Sequence, residues 1–436
     1  MVDLTAKVAG WRVSRLGVPT GNPGRRRRAL RIAAFAVPAA AVAIFAAVVG
    51  LRGGFYDIEI YHQAINHWTR GGDLYAYSLG SRSGRRYGFT YPPFAALTML
   101  PMALIPLWAA IVVSVTATAA ATVGVLYWLV GPMAHRHGWD RWLLVAAAGT
   151  LMLAFDPWGS TLGFGQVNML LVFLVAMDFM LLVRAGRSGA GALIGLATAV
   201  KLTPGIFIVY LIVTRKWRAA AMASATTGGA TLFAAVVAPG ASRDFWTDAL
   251  WHPERVGSAA QLSNQSLHGL VARLNPDQPS TLLWLLLAVS VLAVWGARVR
   301  AAAIAHDEMA GFALTGAVSC LISPFTWVHH LVWLIPALVL LIGNGYAQST
   351  REGRPRWWLW LAWLTYALLC SRLIWLLGTH YAGWGVLSGN LYVVLSVFLL
   401  IRVPIRRPER LAMRTAPQVR SVAQRRYVVE HIDATG

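Results

Sequence analysis

The stretch Ile32–Leu51, IAAFAVPAAAVAIFAAVVGL, decides the fold class, and it leads into Arg52-Gly53-Gly54-Phe55-Tyr56-Asp57-Ile58-Glu59-Ile60-Tyr61. It carries no charge and is long enough to cross the hydrocarbon core of a bilayer, which needs about 20 apolar residues. Residues 1–30 ahead of it are polar and basic, so we do not expect a cleavable signal peptide. The sequence therefore predicts a first membrane span with an acidic residue, Asp57, just beyond its end.

The composition excludes a soluble globular domain. Hydrophobic residues make up 57% of the 436 residues and charged residues only 13%. The net charge of +21 is concentrated in basic linkers between apolar stretches and near both ends. This distribution is typical of cytoplasmic loops and anionic lipid contacts, and we expect no nucleic-acid partner. The two cysteines, Cys320 and Cys370, both lie in apolar stretches, so they indicate neither a disulfide nor a metal framework.

The apolar pattern predicts an all-α integral membrane protein with about twelve transmembrane helices. The expected domains are a basic cytoplasmic tail (1–30), a transmembrane domain (31–403) and a largely disordered basic cytoplasmic tail (404–436). The predicted spans are 31–51, 107–131, 141–157, 166–184, 189–200, 203–214, 217–238, 281–299, 309–327, 331–345, 356–377 and 384–402. Basic linkers then all face the cytoplasm, at Arg25–Arg28, Arg215–Arg218, Arg298–Arg300, Arg351–Arg356 and Arg402–Arg410.

Residues 52–106 form a long loop outside the membrane in this topology. Asp57–Trp68 is expected to be a short amphipathic helix. Tyr91–Pro106 is apolar but contains Pro101, and a full span there would turn the later basic linkers outward. We therefore expect this segment to lie on the surface or to re-enter the membrane.

Several polar clusters fall on the same predicted face as Asp57. They are Gly163–Asn168, Lys201–Pro204, Glu254–Gly257, Ser263–Ser266 and Trp327–His330. Because loop residues would otherwise scatter over both faces, this sorting indicates one functional site on the outer side.

Lys201 is the strongest functional candidate among these residues, because the apolar stretches on both sides of it are short. A lysine at the tip of such a hairpin would lie below the membrane surface, where an ionisable group is expensive and is a functional hypothesis by default. It either extends to the headgroups or binds the phosphate of a lipid-borne substrate.

The other candidates carry open alternatives. His329 and His330 can bind phosphate or sugar, anchor the interface beside Trp327, or, least favoured, hold zinc. Arg255 is a second candidate for phosphate. Four neutral amides match sugar hydroxyls, although each is also an ordinary loop residue: Gln166, Asn168, Asn264 and Gln265.

Asp57 can be a general base or merely the N-cap of the helix that runs to Trp68. Glu59 is the alternative base. Because residues two apart on a helix point roughly 200° apart, only one of the two can face a given site. Asp57 lies nearer the membrane and the other polar clusters, so we favour it.

Read in order, these blocks resemble a known family. Together with the acid after the first span, the matching blocks are Phe89–Phe94, Phe164–Asn168, Val200–Pro204, Asn264–Ser266 and Ser323–His330. They resemble the actinobacterial polyprenyl-phosphate-mannose-dependent α-(1→2)-mannosyltransferases of glycosyltransferase family 87, which have the GT-C fold. The resemblance covers about residues 50–345.

The resemblance implies transfer of mannose from polyprenyl-phosphate-mannose to a glycolipid or lipoglycan at the outer face of the plasma membrane. It implies Asp57 as the base, with Lys201, Arg255, His329 and His330 at the donor phosphate. Sugar or acceptor contacts are expected from Glu59, Tyr61, Tyr91, Gln166, Asn168, Asn264 and Gln265. No metal or other cofactor is expected, since a lipid phosphate is already a good leaving group.

The acceptor stays open between two kinds of member, those acting on phosphatidylinositol mannosides and those branching lipomannan and lipoarabinomannan. The stretches Tyr87–Thr90, Arg215–Arg218 and Ser242–Trp246 favour the second. The alternatives are a transporter or flippase of lipid-linked sugars and a GT-C transferase of another sugar, such as arabinose. Transporters tend to have repeated halves, and residues 1–215 and 216–436 show no convincing similarity.

Overall fold

The computed structural model describes residues 23–52, 54–81, 86–252, 255–351, 357–377 and 384–406. Most of the two predicted tails therefore lies outside the described residues. The first helix begins at Pro23, within the predicted N-terminal tail, so the arginines of Arg25–Arg28 are helical.

The described chain is mostly helical. The helices are α1 (Pro23–Leu51), α2 (Tyr56–Thr69), α3 (Pro93–Met99), α4 (Leu107–His137), α5 (Arg141–Met152), α6 (Asp156–Phe164), α7 (Asn168–Met177), α8 (Ala192–Val200), α9 (Ile206–Val213), α10 (Trp217–Val237), α11 (Pro239–Thr247), α12 (Leu267–Leu274), α13 (Thr281–Ile304), α14 (Glu308–Ile322), α15 (Ile335–Arg351), α16 (Trp357–Cys370), α17 (Leu373–Leu377), α18 (Trp384–Gly389) and α19 (Leu391–Arg402). Short 3₁₀ segments occur at Leu100–Leu104, Thr203–Gly205, Ala249–Trp251 and Val328–Leu334, and a π-helical segment at Asp178–Val183.

The number of membrane spans is supported only in part. Five described helices are long and apolar enough to cross a bilayer: Gly24–Leu51, Leu107–His137, Trp217–Val237, Thr281–Ile304 and Val328–Gln348. A sixth results if α5 and α6, which meet at a 78° bend, are one span. The remaining predicted spans coincide with shorter apolar helices, so the described chain does not establish twelve.

The long apolar helices differ in burial: Val328–Gln348 lies mostly inside the bundle, whereas Gly24–Leu51, Trp217–Val237 and Thr281–Ile304 are largely exposed. In α14, every side chain from Ala310 to Leu321 is buried, as is typical of a helix that is surrounded by others. By contrast, α1 has no buried side chain along Gly24–Leu51 and packs mainly on α5. The core thus lies around α14, α7 and Val328–Leu334.

The predicted outer loop packs in a separate apolar cluster, contributed mainly by α2, α3 and the chain between them, with Ala110 of α4 and Ala238, Ala241 and Phe245 at α11. It contains a feature that the all-α prediction missed, because the strands have three residues each. Strand β1 (Ser78–Gly80) pairs antiparallel with β2 (Arg86–Gly88). In the Tyr91–Pro106 segment, α3 is followed directly by the 3₁₀ turn Leu100–Leu104, and together they form one short apolar helix. That this segment is not a full span stays a prediction.

Two basic residues that lie near the predicted cytoplasmic ends of helices pair with acids. Lys216, before α10, pairs with Glu308 at 2.7 Å, and Arg31 pairs with Asp140 at 2.6 Å. That all basic linkers lie on one side and the polar clusters on the other stays a prediction.

Candidate active site

A cavity of about 1220 Å³ opens where the polar clusters meet between the outer layer and the bundle. It is lined by eight of the predicted site residues, namely Asp57, Tyr61, Tyr91, Gln166, Lys201, Arg255, His329 and His330. Residues separated by more than 270 positions in the chain thus face one space. Glu59, Asn168, Asn264 and Gln265 do not line it.

Asp57 is the second residue of α2 and faces the cavity. The helix is not capped by its side chain: the N-cap is Phe55, in a left-handed conformation, so the capping alternative is wrong. The Phe55 amide donates to the Gly163 carbonyl at 2.7 Å and ties the start of α2 to the end of α6. Burial raises the pKa of Asp57 to about 6, against the opposing effects of a hydrogen bond from Gln166 and the charge of Lys201.

Gln166 is held by a chain of hydroxyls. Its Nε2 donates to Asp57 Oδ2, and its Oε1 accepts from the Tyr91 hydroxyl at 2.8 Å. The Tyr91 and Tyr61 hydroxyls are 2.9 Å apart. Burial raises the pKa of both tyrosines, so both hydroxyls stay protonated. The chain therefore fixes which end of the Gln166 amide meets the carboxylate.

Gly165 makes this contact between α2 and α6 possible. It ends α6 with a φ of 71°, and a Cβ there would lie 2.6 Å from Ile58 Cγ2. Glycine adopts this left-handed conformation without steric cost and leaves room for Ile58. Gln166 follows directly and reaches Asp57 as a result.

Lys201 lies at the tip of the hairpin between α8 and Thr203–Gly205, as predicted. Its Nζ is 2.8 Å from Asn168 Oδ1, 3.0 Å from His330 Nε2 and 3.4 Å from the Tyr91 hydroxyl. The ammonium group is thus held in the cavity wall among neutral partners, which does not fit a side chain extended to the headgroups. None of the described carboxylates forms an ion pair with it.

The two histidines take different positions. His330 faces Lys201, and its Nε2 is 3.0 Å from the lysine Nζ. The His329 carbonyl accepts from Thr161 Oγ1 at 2.8 Å and Asn168 Nδ2 at 3.2 Å, while its ring packs on Phe164. His329 Nε2 has no hydrogen-bond partner among the described residues and is free for a ligand. The described chain holds no cluster of three metal-ligating side chains.

Four of the expected sugar contacts lie away from the cavity. The Glu59 carboxylate accepts from Gln63 at 2.9 Å on another face of α2, as the helical angle requires. Asn168 lies behind Lys201 and positions it. Asn264 and Gln265 are fully buried, and their amide groups donate to backbone carbonyls of Ala259, Pro324, Leu262 and Gly389. We correct the roles of Asn264 and Gln265 to support of the cavity wall.

Arg255 lines the cavity but is already engaged. It pairs with Asp248 at 2.8 Å and also donates to the Tyr75 carbonyl. Its predicted neighbour Glu254 lies outside the described residues.

One charged pair in the cavity wall, Asp156 and Arg372, is not among the residues predicted from the sequence; its Oδ1 and Nε atoms are 2.8 Å apart. An acid inside the apolar segment 141–157 is itself a functional signal and was available in the sequence. The pairing with Arg372 could not be predicted, because 216 residues separate it from Asp156.

The chain is similar to known proteins over most of its length. The family model for glycosyltransferase family 87 matches residues 89–324. A polyprenol-phosphate-mannose-dependent α-(1-2)-phosphatidylinositol mannoside mannosyltransferase of Mycolicibacterium smegmatis is 30% identical, covering 77% of this chain and 80% of its own. The protein of the same name in Mycobacterium tuberculosis is 33% identical over 66% of this chain and 70% of its own.

A third relative, the M. smegmatis polyprenol-phosphate-mannose-dependent α-(1-2)-phosphatidylinositol pentamannoside mannosyltransferase, is 29% identical over 90% of this chain and 97% of its own. No solved structure matches significantly. With more than half of its length in the family model, and with relatives of this identity and coverage, the chain belongs to glycosyltransferase family 87 and is a membrane-embedded glycosyltransferase.

Proposed function

We propose that this enzyme is an inverting mannosyltransferase that moves mannose from polyprenyl-phosphate-mannose to a mannosylated phosphatidylinositol glycolipid or lipoglycan. The linkage formed is α-(1→2), on the outer side of the plasma membrane, with both termini cytoplasmic. The relatives' names support the donor and the sugar. The observation that carries the proposal is the cavity in which a carboxylate, Asp57, and a cation, Lys201, face one space.

Asp57 acts as the general base in this proposal. Converting a β-linked mannosyl phosphate into an α-mannoside inverts the anomeric carbon, and a single in-line displacement does this. The acceptor hydroxyl attacks the anomeric carbon as its proton passes to Asp57, and the bond to the phosphate oxygen breaks. With a pKa of about 6, the carboxylate is mostly ionised at neutral pH and is better matched to this proton transfer than an exposed aspartate.

Lys201 stabilises the departing lipid phosphate. Negative charge grows on the phosphate oxygens as the bond breaks, and an ammonium group fixed before the reaction stabilises that charge. Asn168, His330 and Tyr91 hold it in place without neutralising it. The free Nε2 of His329 supplies a further hydrogen bond to the phosphate. Arg255 is a less favoured phosphate ligand, because its guanidinium already pairs with Asp248.

The direct test is transfer from labelled polyprenyl-phosphate-mannose to a phosphatidylinositol mannoside, followed by linkage analysis. We expect an α-(1→2)-linked product. A different donor sugar or linkage would refute the proposal.

Asp57→Asn should lower kcat by about 10²–10⁴-fold, the usual contribution of a general base. The fold should persist, because an amide replaces the carboxylate at the same size. The matched control is Glu59→Gln in the same helix turn, which faces away from the cavity and should keep activity. Near wild-type turnover in Asp57→Asn would disprove its assignment as the base.

A further inference from the structure

The cavity contains a charged pair, Asp156 and Arg372, that the proposed reaction does not use. The Asp156 side chain is only 2% exposed, whereas that of Arg372 is 61% exposed. Asp156 also accepts hydrogen bonds from Trp375 Nε1 and the Tyr392 hydroxyl, both at 3.2 Å. The acid is thus fully engaged, while among the described residues only Nε of Arg372 is bonded. The rest of the guanidinium remains available to a ligand.

The backbone conformation of Arg372 and its contact with Asp156 both hold Arg372 in this position. Arg372 joins α16 to α17 with a φ of 55°, a left-handed conformation that costs a non-glycine residue energy. Asp156 begins α6 and is buried beneath it. The buried carboxylate binds Nε of Arg372, a residue that lines the cavity, and the two terminal nitrogens of Arg372 have no partner among the described residues. Guanidinium nitrogens of this kind bind phosphate.

The distance to the reacting centre follows from α6. Asp156, Ser160 and Phe164 are spaced four residues apart, lie on one face of α6 and all line the cavity. At 1.5 Å per residue, the Asp156 end is about 12 Å from the Phe164 end. The Phe164 end is where Gly163 binds Phe55 and where the Asp57 helix begins.

Arg372 therefore does not hold the phosphate that leaves. Reacting atoms approach within about 3–3.5 Å, so the anomeric carbon and its phosphate must lie close to Asp57. Lys201 meets that condition, because its charge acts on Asp57 and it shares Tyr91 with the Gln166 chain. An anion at Arg372 belongs to a group farther from the reaction.

The surroundings of Arg372 fit a lipid. Trp375 and Leu376 follow it, line the same cavity and are 42% and 70% exposed. A cation flanked by exposed apolar side chains matches an amphiphile with a phosphate next to its chains.

We propose that Arg372, held by Asp156, binds the phosphodiester of the acceptor glycolipid, with its sugars reaching along α6 to Asp57. This inference rests on the proposed function and adds where the acceptor's lipid end binds. It implies that the acceptor carries its phosphate about 12 Å from the hydroxyl that reacts, along a short oligosaccharide.

The test measures KM for three substrates: polyprenyl-phosphate-mannose, a phosphatidylinositol mannoside and a short mannoside without phosphate. Arg372→Gln should raise KM for the phosphatidylinositol mannoside by about tenfold, the effect of losing a charge-assisted hydrogen bond. The rise for the phosphate-free mannoside and for the donor should be much smaller. Arg243→Gln is the matched control, because Arg243 is exposed on α11 and outside the cavity.

A double variant separates binding from structure. Arg372→Gln alone leaves Asp156 buried without its partner, which is destabilising. Asp156→Asn combined with Arg372→Gln removes both charges and keeps an acceptor for Trp375 and Tyr392. A raised acceptor KM in the double variant supports the proposal, and a return to the wild-type KM overturns it in favour of a structural ion pair. A rise in the donor KM instead also overturns it, because the anion is then the donor's.

Direct binding of the same phosphatidylinositol mannoside distinguishes this inference from the proposed function. If the wild type binds it but transfers no mannose, the proposed function fails alone. Equal affinity in wild type and the double variant overturns the role of Arg372, whatever the activity.

Discussion

The hydrogen bond from Gln166 to Asp57 should set the pH below which the enzyme loses activity. Asp57 must be ionised to accept a proton, so kcat/KM should fall about tenfold per pH unit below a pKa of about 6. Gln166 lowers that pKa by donating to the ionised form. Gln166→Leu should therefore raise the pKa and move the acid limb to higher pH, as measured by pH–rate profiles.

The control for this profile is Gln63→Leu, since Gln63 bonds Glu59 and does not line the cavity. Its acid limb should coincide with that of the wild type. An acid limb unmoved in Gln166→Leu would show that another group titrates.

Lys201 offers a second test at a single residue. Lys201→Ala should lower kcat/KM for the donor by about 10²-fold, the effect of removing one fixed donor to a developing anion. Lys216→Ala, which breaks the pair with Glu308 at the opposite helix ends, is the control and should retain donor use. An unchanged donor KM and kcat in Lys201→Ala would remove Lys201 from the mechanism.

Single residues were predictable where one local property decided their position. The angle between Asp57 and Glu59 on a helix requires that only one faces the cavity, and Asp57 does. The roles of Asn264 and Gln265 could not be predicted from local sequence, because it does not distinguish a loop amide that binds a sugar from one that binds a backbone carbonyl. Burial decided, and burial depends on distant segments such as Gly389.

The junction of α2 and α6 depends on the glycine that ends α6. Gly165→Ala should destabilise the fold by more than the roughly 1–2 kcal/mol of a left-handed alanine, because its Cβ also overlaps Ile58. It should also lower kcat by displacing Gln166 from Asp57. Thermal unfolding in detergent and turnover together measure both effects.

Gly138→Ala is the matched control. Gly138 also ends a helix with positive φ, at 66°, but nothing lies within 4 Å of its Cβ position. It should show the conformational cost alone and keep kcat. Equal losses in both variants would mean that the approach of Ile58 is unimportant.

At the level of elements, apolar stretches predicted the long helices well. Predicted spans 107–131, 217–238 and 281–299 correspond to α4, α10 and α13. The interior was harder, because a buried short helix and a membrane span have similar composition, and length alone separates them. The β1–β2 pair could not be predicted, because strands of three residues are too short to show an alternation of apolar and polar residues.

At the scale of the whole molecule, we predict a polar, cavity-bearing end and a basic end, and the proposed orientation places them on opposite sides of the membrane. Ser258, on the cavity side, and Ser188, before α8, are both exposed. After replacement of Cys320 and Cys370, Ser258→Cys in intact cells should react with a membrane-impermeant maleimide. Ser188→Cys should react only after permeabilisation. The reverse pattern would invert the topology.

The order of charges along the chain predicts a segregation of basic and polar ends, but it could not predict the cavity. The residue pairs that close it, such as Asp156 with Arg372, join segments that no local pattern relates. The order of the blocks along the chain carries the family resemblance, whereas the contacts between the blocks depend on tertiary packing.

The absence of any buried side chain in α1 has a consequence for how this chain can vary. A helix that packs so little is constrained by its length and apolarity rather than by the shape of each side chain. In a mutational scan, α1 should tolerate nearly any apolar exchange, while α14 should tolerate very few. Natural drift within the family should leave α1 the least recognisable part of the described membrane domain.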